Sequence, residues 1–272
     1  MKIIIKKLLS KLLNRLNLFL STSKIGNYIL DKLVKNSLER VLSLKHNEIK
    51  FKLSTPNAVC HWRSKTLATK EPETIKWIDN FKNSSIFWDV GANIGIYSVY
   101  AGKRGHKVFS FEPSFFNLET LSRNINLNNL SDNITVFPIA LNDITKISKL
   151  NMSNNSWGSA HSTFDKEYMS SGKIMNTKFS YKTIGFSADD IAENLDIDQP
   201  NYITIDVDGI EHLVLEGGKK IIKNAKSILI EVYKNFEEQN IKVQKILGES
   251  GFELIEEIYF EKNSSNQIWK KK

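Results

Sequence analysis

The residue types best suited to chemistry are carboxylates that follow short apolar runs. The run Tyr202 to Val207 predicts a buried strand, with Asp206 and Asp208 at its end. Because these aspartates are two positions apart, an extended chain directs both side chains to the same side. Glu211 follows where the next helix begins. Such carboxylates accept protons or bind hard cations, although one of them can instead cap the helix.

A glycine turn follows an earlier predicted strand. This strand, Ile86 to Val90, contains Asp89 and continues through Gly91, Asn93 and Gly95 into a helix. Glycine leaves space for a ligand beside the backbone, and the free N–H groups at a helix start attract anionic groups. The turn lacks the third glycine of the dinucleotide fingerprint, which argues against a nicotinamide cofactor. It predicts a nucleotide-like ligand, and the alternative is a tight connection without a ligand.

A further carboxylate has the spacing that such a ligand requires. The next predicted strand ends in Glu112, about 20 residues after Gly91. In a βαβ unit this spacing brings a carboxylate to the ribose hydroxyls of the ligand. The third strand, predicted for Ile134 to Ala140, ends before Asn142 and Asp143. We expect these two residues to lie beside the ligand, near an adenine, unless they belong to an ordinary loop.

The rest of the pattern predicts the elements that position these residues. Strand-like and helical runs alternate from about Ile49 onward, which indicates a mostly parallel sheet with an antiparallel element at its end. Helices are predicted for Glu71 to Phe81, Ile94 to Tyr100, Phe115 to Leu127, Leu213 to Ala225 and around Val243 to Leu247. Further strands are predicted for Lys107 to Phe111, Ser227 to Val232, Phe252 to Phe260 and Asn266 to Trp269. Residues 144 to 185 are rich in Ser, Asn, Gly and Thr, so we expect an insertion over the site that selects the substrate.

The N-terminal residues have a different pattern. Residues 3 to 20 place leucines and isoleucines at helical spacing, with lysines and an arginine on the other side, which predicts a basic amphipathic helix,. Residues 24 to 43 predict a second helix. We therefore divide the chain into a basic amphipathic helical extension, residues 1 to 48, and a domain, residues 49 to 272. Charges recur too often for a membrane-spanning helix, so residues 1 to 24 are expected to contact an anionic membrane peripherally or to pack on protein.

Composition limits the function classes further. The chain of 272 residues has a formal charge of +8, which favours anionic partners but does not indicate an activity,. The single cysteine, Cys60, excludes an internal disulfide and a zinc site built on several thiolates, and it is compatible with a reducing cytoplasm,. Its neighbour His61 would point to the opposite face of an extended segment, so the pair does not predict a nucleophile with its base.

Several motifs occur together and in a fixed order. They are Glu71 to Thr74 with Trp77, Trp88 to Gly95, Phe111 to Pro113 with Asn117, Gly158 to Ser162, Phe186 to Asp190, and Ile205 to Gly209 with Glu211. From roughly Lys70 to Val232 the chain resembles the FkbM family of S-adenosylmethionine-dependent methyltransferases. The resemblance implies an α/β, Rossmann-like class I methyltransferase fold, with a mostly parallel seven-stranded sheet and helices on both faces.

The resemblance also implies S-adenosyl-L-methionine as the cofactor. Its expected contacts are Asp89, Gly91, Asn93, Gly95, Glu112, Asn142, Asp143 and Asp206. The glycine turn would hold the methionine part, Glu112 would hold the ribose, and Asp206 would border the sulfonium and the substrate. Thr204 departs from the family, in which a lysine commonly stands at this position.

The expected reaction is methyl transfer to a hydroxyl oxygen of a sugar, a glycan or a related small molecule. A base that takes the hydroxyl proton contributes about 10² to 10⁴-fold in rate. The candidate catalytic residues are Asp208, Asp206, Glu211 and His161, with Asp208 favoured as the base on its placement. No metal is predicted, because three nearby acids do not by themselves make a cation site.

Two other function classes stay open on the sequence alone. One is a nicotinamide oxidoreductase of Rossmann type, and the other is a non-catalytic protein associated with membrane or glycan. The chain has no Asn/Asp-Pro-Pro-Tyr/Phe motif of the enzymes that methylate amino groups of DNA, so no nucleic-acid partner is expected. The sequence predicts a cytoplasmic protein, with the inner face of the membrane as a peripheral contact, and does not predict an oligomeric state.

Overall fold

The structure is a computed structural model that describes residues 2–261 and 263–272; Met1, the first residue of the predicted membrane contact, and Lys262 lie outside it. Its helices are α1 (Lys2–Leu20), α2 (Lys24–Leu38), α3 (Ala58–Lys65), α4 (Leu67–Lys70), α5 (Pro72–Asp79), α6 (Ile96–Lys103), α7 (Phe115–Leu127), α8 (Ala188–Asn194), α9 (Glu211–Glu216), α10 (Lys219–Ile222) and α11 (Glu237–Glu249). Its strands are β1 (Val41–His46), β2 (Ile49–Ser54), β3 (Ile86–Val90), β4 (Lys107–Phe111), β5 (Ile134–Phe137), β6 (Ala140–Leu141), β7 (Lys146–Met152), β8 (Ser162–Phe164), β9 (Phe179–Phe186), β10 (Tyr202–Ile205), β11 (Ser227–Tyr233), β12 (Phe252–Glu261) and β13 (Ser264–Lys271).

The main sheet has a reversal of strand order at its centre. Within the described ranges it contains seven strands in the order β12-β13-β11-β10-β3-β4-β5. Neighbours from β11 to β5 are parallel, and β13 is antiparallel to both of its neighbours. The chain leaves β3 toward β4 and β5 on one side, and it later builds β10 and β11 on the other. The predicted Rossmann-like sheet is confirmed, and ligands bind beyond the carboxyl ends of strands at such a reversal.

Alternating side chains of β3 contribute to two cores. Trp88 and Val90 lie in a core with α8, α9, α10 and α11, whereas Phe87 lies in a core with β2, α5, α6 and α7. The alternation follows from the two-residue period of a strand, and it places helices on both faces of the sheet. Asp89 shares the face of Phe87, where its carboxylate accepts a hydrogen bond from Ser98 of α6.

The predicted insertion is a folded unit. Its strands β7, β8 and β9 form a second sheet with β6, in the order β6-β9-β7-β8. Leu150, Met152 and Phe164 are buried there and pack against Ile210 and Leu213, which ties the small sheet to the end of β10. The apolar fraction of residues 144 to 185 is low because strand residues alternate between buried and exposed positions,.

Several predicted boundaries differ from the observed ones. The helix predicted for 24–43 ends at Leu38, and β1 pairs with β2 in an antiparallel hairpin. The domain boundary between residues 48 and 49 therefore falls at the turn of this hairpin. The strand predicted for Ile134 to Ala140 divides into β5 and β6 around Pro138, which cannot donate a ladder hydrogen bond,. The helix predicted for Leu213 to Ala225 is interrupted at Gly217 and Gly218.

The predicted amphipathic helix is α1. Its apolar side is not covered by the rest of the described chain, since the side chains of Leu8, Leu12 and Leu16 are 63%, 64% and 49% exposed. Packing of this side on the chain's own domain, one of the two expected arrangements, is therefore not observed. Among the residues that the structure describes, no helix is both long and apolar enough to cross a membrane.

Candidate active site

A cavity of about 660 Å³ opens at the carboxyl ends of β3 and β10, where the sheet topology places a ligand. Its inner wall comes from the main sheet and includes Val90, Gly91, Phe111, Glu112, Asp206 and Glu231. Its outer wall comes from the insertion and includes Leu150, Ser153, Asn154, Ser159, His161, Phe164, Asn176 and Lys178. The insertion thus lines the site directly.

Close packing surrounds the two glycines of the turn. Gly91 has a φ of 88°, and its N–H donates to the Phe111 carbonyl at 2.9 Å. A Cβ at Gly91 would lie 1.8 Å from the Asp206 carbonyl oxygen, so only glycine allows the chain after β10 to approach this closely,. A Cβ at Gly95 would meet Leu121 Cδ1 of α7 at 2.1 Å. Gly91 lines the cavity, whereas Gly95 is not part of its wall.

Glu112 connects the turn to the cavity. Its Oε2 accepts a hydrogen bond from the Asn93 backbone N–H, and its Oε1 accepts one from the Ser114 backbone N–H, both at 2.8 Å. Burial raises the pKa of Glu112 to about 7, against the effect of these two N–H groups,. The Asn93 side chain donates to the Ser159 carbonyl at 2.9 Å. Glu112, the residue predicted to bind the ribose, therefore lies in the cavity wall and is held in a fixed position.

Two carboxylates lie side by side, one directly after β10 and the other within β11. The strands are parallel with Ile205 opposite Ile230, so Asp206 and Glu231 follow at the same level. In the described part of the chain, oxygens of Asp206, Glu211 and Glu231 lie within 4.8 Å of one another. Burial, and then repulsion from Asp206, raises the pKa of Glu231 well above its usual value,. The raised pKa favours a protonated Glu231, which relieves the repulsion,.

Glu211 supports a loop and does not line the cavity. It is fully buried, and its Oε1 accepts hydrogen bonds from the backbone N–H groups of Val207 at 3.0 Å and Gly209 at 3.1 Å. Its other oxygen accepts a hydrogen bond from Gln239. Burial raises the pKa of Glu211 to about 8. The structure therefore gives Glu211 a positioning role under the loop that carries Asp208.

Asp208 and His161 come together at the cavity wall. Both have left-handed backbone angles, with φ of 59° and 62°, a conformation that is uncommon outside glycine and recurs at functional sites,. Asp208 Oδ2 accepts a hydrogen bond from the Ser162 backbone N–H at 3.0 Å, and His161 Nδ1 lies 3.6 Å from Asp208 Oδ1. Burial, and then the Asp206 carboxylate, raises the pKa of Asp208,.

Four predicted cofactor contacts, Gly95 and three others, lie outside the cavity wall. The Asn142 side chain is fully buried, and within the described residues its amide atoms have no hydrogen-bond partner. Asp143 lies 3.7 Å from the Lys146 ammonium through Oδ1. Residues Ile139 to Leu141 line the cavity in their place. Asp89 lines a separate small cavity of about 60 Å³ beside the turn, and burial raises its pKa to about 6.

Comparison with known proteins identifies the family. The model of the Methyltransferase FkbM domain matches residues 89–262. The chain belongs to the FkbM methyltransferase family. Among curated proteins, this FkbM chain is 23% identical over 197 residues to the hexuronic acid methyltransferase AglP of Haloferax volcanii, and the match covers 70% of the chain and 72% of that protein.

Solved structures include other methyltransferases. The FkbM methyltransferase from Methylobacillus flagellatus KT has 18% sequence identity and a TM-score of 0.48, with 70% of this chain and 44% of that protein covered. The precorrin-6y C5,15-methyltransferase from Geobacter metallireducens GS-15 has 13% identity and a TM-score of 0.44, with coverages of 74% and 87%. This FkbM chain thus spans less than half the length of the Methylobacillus protein.

Two cavity residues of this FkbM methyltransferase were missed in the sequence analysis for different reasons. Glu231 lies at the end of a strand that the sequence predicts, so the rule that identifies Asp206 also applies to it. Arg63 lies on α3, for which the sequence gives no functional signal. Its Nε donates to the Gly158 carbonyl at 2.5 Å, which joins α3 to the insertion across the cavity edge.

Lys70 places an ammonium group beside the acidic residues of the FkbM site. It pairs with Glu71, whose other oxygen accepts a hydrogen bond from the Tyr97 hydroxyl at 2.8 Å. Burial lowers the pKa of Lys70, but Glu71 and Asp206 outweigh it and the net shift is upward. Thr204, where the family commonly has lysine, lines the same small cavity as Lys70. Cations beside Asp206 therefore come from Lys70 of α4 and Arg63 of α3, and not from β10.

Proposed function

We propose that this methyltransferase uses S-adenosylmethionine and transfers its methyl group to a hydroxyl oxygen of a sugar or glycan. The observation that carries the proposal is the position of Glu112. This buried carboxylate is hydrogen-bonded to the glycine turn and lines a cavity at the reversal of the sheet. Doubly wound sheets bind nucleotide ligands at this point, through a carboxylate that accepts hydrogen bonds from the ribose.

The residues of the cavity suit the parts of this donor. Glu112 would accept hydrogen bonds from the ribose, since each oxygen keeps a lone pair after accepting one backbone N–H. The backbone of Gly91 and Asn93 would border the methionine part, and Arg63 and Lys70 supply cations for its carboxylate. Apolar side chains for the adenine are Phe111, Ile139, Leu141 and Ile210. The bound donor supplies a methyl group on a positively charged sulfur.

Asp208 is the proposed base. Its raised pKa suits proton transfer near neutral pH better than that of an ordinary aspartate,. Asp208 would take the proton of the acceptor hydroxyl while the oxygen bonds to the methyl carbon and the bond from that carbon to sulfur breaks. His161 lies beside Asp208 and its side chain is 53% exposed, so it can pass the proton to solvent. Asp206 adds negative charge at the wall that would face the sulfonium.

A sugar acceptor is supported by the curated relative and by the polar outer wall. The Haloferax volcanii relative is named as a hexuronic acid methyltransferase. In this chain the outer wall presents hydroxyl and amide groups that suit sugar hydroxyls, namely Ser153, Asn154, Ser170 and Asn176. The acceptor selected by the insertion is therefore proposed to be a glycan or a small sugar, and not a nucleic acid.

We place this reaction in the cytoplasm, with peripheral contact to the inner face of the membrane through residues 1–24. A reducing compartment is supported by Cys60, which is buried and unpaired,. Membrane contact is supported by the basic composition of α1.

The test is a screen for transfer of labelled methyl groups from S-adenosylmethionine into glycan and lipid extracts. Wild-type protein is expected to label a glycan fraction, and Asp208→Asn to label it at least about 100-fold more slowly. The matched control is Asp143→Asn, a carboxylate outside the cavity wall, which is expected to retain activity. No label in any fraction, or equal rates for wild type and Asp208→Asn, contradicts the proposal.

A further inference from the structure

The two N-terminal helices expose an extended apolar surface. In α1, Leu8, Leu9, Leu12, Leu13 and Leu16 are all exposed, and Ile25, Ile29, Leu33 and Val34 continue the series in α2. Ile25 is 76% exposed, which is unusual for a large aliphatic side chain on a helix that packs against its own domain. So many exposed large apolar side chains on two neighbouring helices indicate an interaction site,. We call α1 and α2, residues 2–38, the N-terminal surface.

The charges of the N-terminal surface indicate what covers it. Helix α1 contains Lys6, Lys7, Lys11 and Arg15 and no acidic residue. At 100° per residue, the apolar side chains occupy about half of the helix circumference and the basic residues flank them. Helices that lie in a membrane interface have this arrangement, because basic side chains reach the lipid phosphates while apolar ones enter the acyl boundary.

A second copy of the chain is a poorer partner for α1. A coiled-coil seam uses two positions in seven, which is narrower than the apolar side of this helix. Basic residues at both edges of the apolar side would also face the same charges on the second copy. An anionic lipid surface complements both the width of the apolar side and its charge.

The two helices of the N-terminal surface are closely joined. Ser23 caps α2, since its Oγ accepts a hydrogen bond from the Gly26 N–H at 3.0 Å. A Cβ at Gly26 would lie 1.9 Å from the Leu20 carbonyl oxygen, so glycine is required where α2 passes the end of α1. The Asn27 side chain also donates to the Ser21 carbonyl at 3.2 Å.

A chain of hydrogen bonds connects the N-terminal surface to the cavity. Ser37, in the last turn of α2, donates from Oγ to the Pro56 carbonyl at 2.5 Å. The next residue, Asn57, caps α3 by accepting the Cys60 N–H at 2.8 Å. The Asn57 side chain donates to the Trp157 carbonyl of the insertion at 2.9 Å. Helix α3 then contributes Arg63 to the cavity, as it contributes Trp62.

We propose that α1 and α2 together bind an anionic phospholipid bilayer and thereby hold the cavity beside acceptors displayed on membrane lipids. The leucines and isoleucines of both helices enter the acyl boundary, and the lysines and Arg15 pair with lipid phosphates. The connection through Pro56 and Asn57 fixes the direction of the cavity relative to this surface. The part that concerns acceptors rests on the proposed methyl transfer. The lipid binding extends the membrane contact proposed for residues 1–24 to α2, and it is tested without methyl transfer.

Vesicle flotation of the full chain tests the lipid binding. The protein is expected to float with vesicles that contain phosphatidylserine and to stay in solution with phosphatidylcholine alone. Replacing Lys7, Lys11 and Arg15 by glutamine lowers the affinity by about fivefold for each charge removed. The triple change Leu8→Ser, Leu12→Ser and Leu16→Ser abolishes flotation. The matched control, Asn14→Ser with Asn17→Ser on the polar side of α1, floats like wild type.

Other occupants of the surface give different results. All of the changed side chains are exposed, so the unfolding temperature of each variant is expected to equal that of wild type. Wild-type protein that stays in solution with both kinds of vesicle overturns the proposal. So does a wild-type dimer, seen by sedimentation without lipid, that the leucine variant converts to a monomer, because the surface would then lie between copies.

Two acceptor probes separate this inference from the proposed function. One is a hexuronic acid glycoside of a long-chain alcohol held in phosphatidylserine vesicles, and the other is the methyl glycoside free in solution. The leucine variant is expected to lose at least tenfold in transfer to the first probe and to retain transfer to the second. Flotation without transfer to either probe, together with no label in any fraction of the extract screen, contradicts the function and leaves the lipid surface standing. Transfer to the soluble probe without flotation contradicts the lipid surface and leaves the function standing.

Discussion

The inner and outer walls of the cavity are held in different ways. The inner wall is fixed by the backbone, because the space beside Gly91 is filled by the Asp206 carbonyl and Glu112 binds two backbone N–H groups. The outer wall is a separate small sheet with its loops. It meets the inner wall through side-chain bonds, such as those from Asn93 to the Ser159 carbonyl and from the Gly158 N–H to Asn117. We infer that the inner wall, which would hold the methyl donor, is rigid. The outer wall, which would face the acceptor, tolerates side-chain substitutions.

The largest expected effect is at the glycine of the rigid wall. In Gly91→Ala, left-handed strain and the clash with the Asp206 carbonyl together cost about 2 to 5 kcal/mol in the free energy of unfolding. Binding of S-adenosylhomocysteine is expected to be lost as well. Chemical denaturation and calorimetric titration measure the two effects.

Gly105→Ala is the matched control for this change. Gly105 has a φ of 85°, close to that of Gly91, but a Cβ there would have no atom within 4 Å. Its expected cost is about 1 to 2 kcal/mol, from the left-handed strain alone. Equal losses for the two alanine variants would show that close packing does not fix the inner wall.

The second expected effect is on the rate of methyl transfer, and it concerns Asp208, which lies where the inner and outer walls meet. Asp208→Asn removes the proposed base, so kcat for methyl transfer is expected to fall by about 10² to 10⁴-fold. Affinity for S-adenosylhomocysteine is expected to stay within about twofold of wild type, since Asp208 is not a proposed contact of the nucleoside. A parallel loss of kcat and cofactor affinity would instead assign Asp208 to the rigid wall.

A smaller effect is expected for Glu112→Gln, which keeps the shape of the inner wall. Loss of a charged acceptor for the ribose hydroxyls weakens S-adenosylhomocysteine binding by about 10- to 100-fold. In wild type, binding is expected to weaken as pH falls below about 7, where Glu112 becomes protonated. A calorimetric pH series that is the same for wild type and Glu112→Gln would refute the assignment.

The same carboxylate has a predictable effect on stability. The pKa of Glu112 is about 7 in the folded protein, against an ordinary value of 4.5. Between pH 4.5 and 7 the folded state therefore keeps a proton that the unfolded chain has lost. Glu112 therefore contributes stability that is present at low pH and decreases as pH rises toward 7. The unfolding free energy of wild type, measured relative to Glu112→Gln, is expected to decrease as pH rises across this range.

The smallest effect is expected in the outer wall. Asn176→Ala removes one hydrogen-bonding group from the acceptor side, so KM for a sugar acceptor is expected to rise by about fivefold. Affinity for S-adenosylhomocysteine is expected to remain unchanged. An effect on cofactor affinity and none on the acceptor would reverse the roles that we give to the two walls.

The sequence predicts the inner wall better than the outer one. Gly91, Glu112 and Asp206 follow predicted strands, and the carboxyl ends of neighbouring parallel strands meet at one edge of the sheet. Their proximity follows from topology alone. Asn142 and Asp143 were placed by the same rule, but Pro138 splits their strand and Ile139 to Leu141 reach the cavity in their place.

Long-range contacts explain what sequence reasoning missed. Glu211 lies among the predicted catalytic carboxylates in sequence, and only the folded chain shows that Gln239 and two backbone N–H groups bind its oxygens. The pairing of His161 with Asp208 joins the insertion to the main sheet, and no local pattern encodes it. Arg63 and Lys70 reach the site from helices that precede the matched family domain.

Calorimetric titration of the wild-type protein with S-adenosylhomocysteine and with NAD tests the central claim most directly, namely that the inner wall holds a methyl donor. We expect one binding site for S-adenosylhomocysteine per chain, an affinity at least about tenfold lower in Glu112→Gln, and no binding of NAD. Binding of NAD without binding of S-adenosylhomocysteine would contradict it.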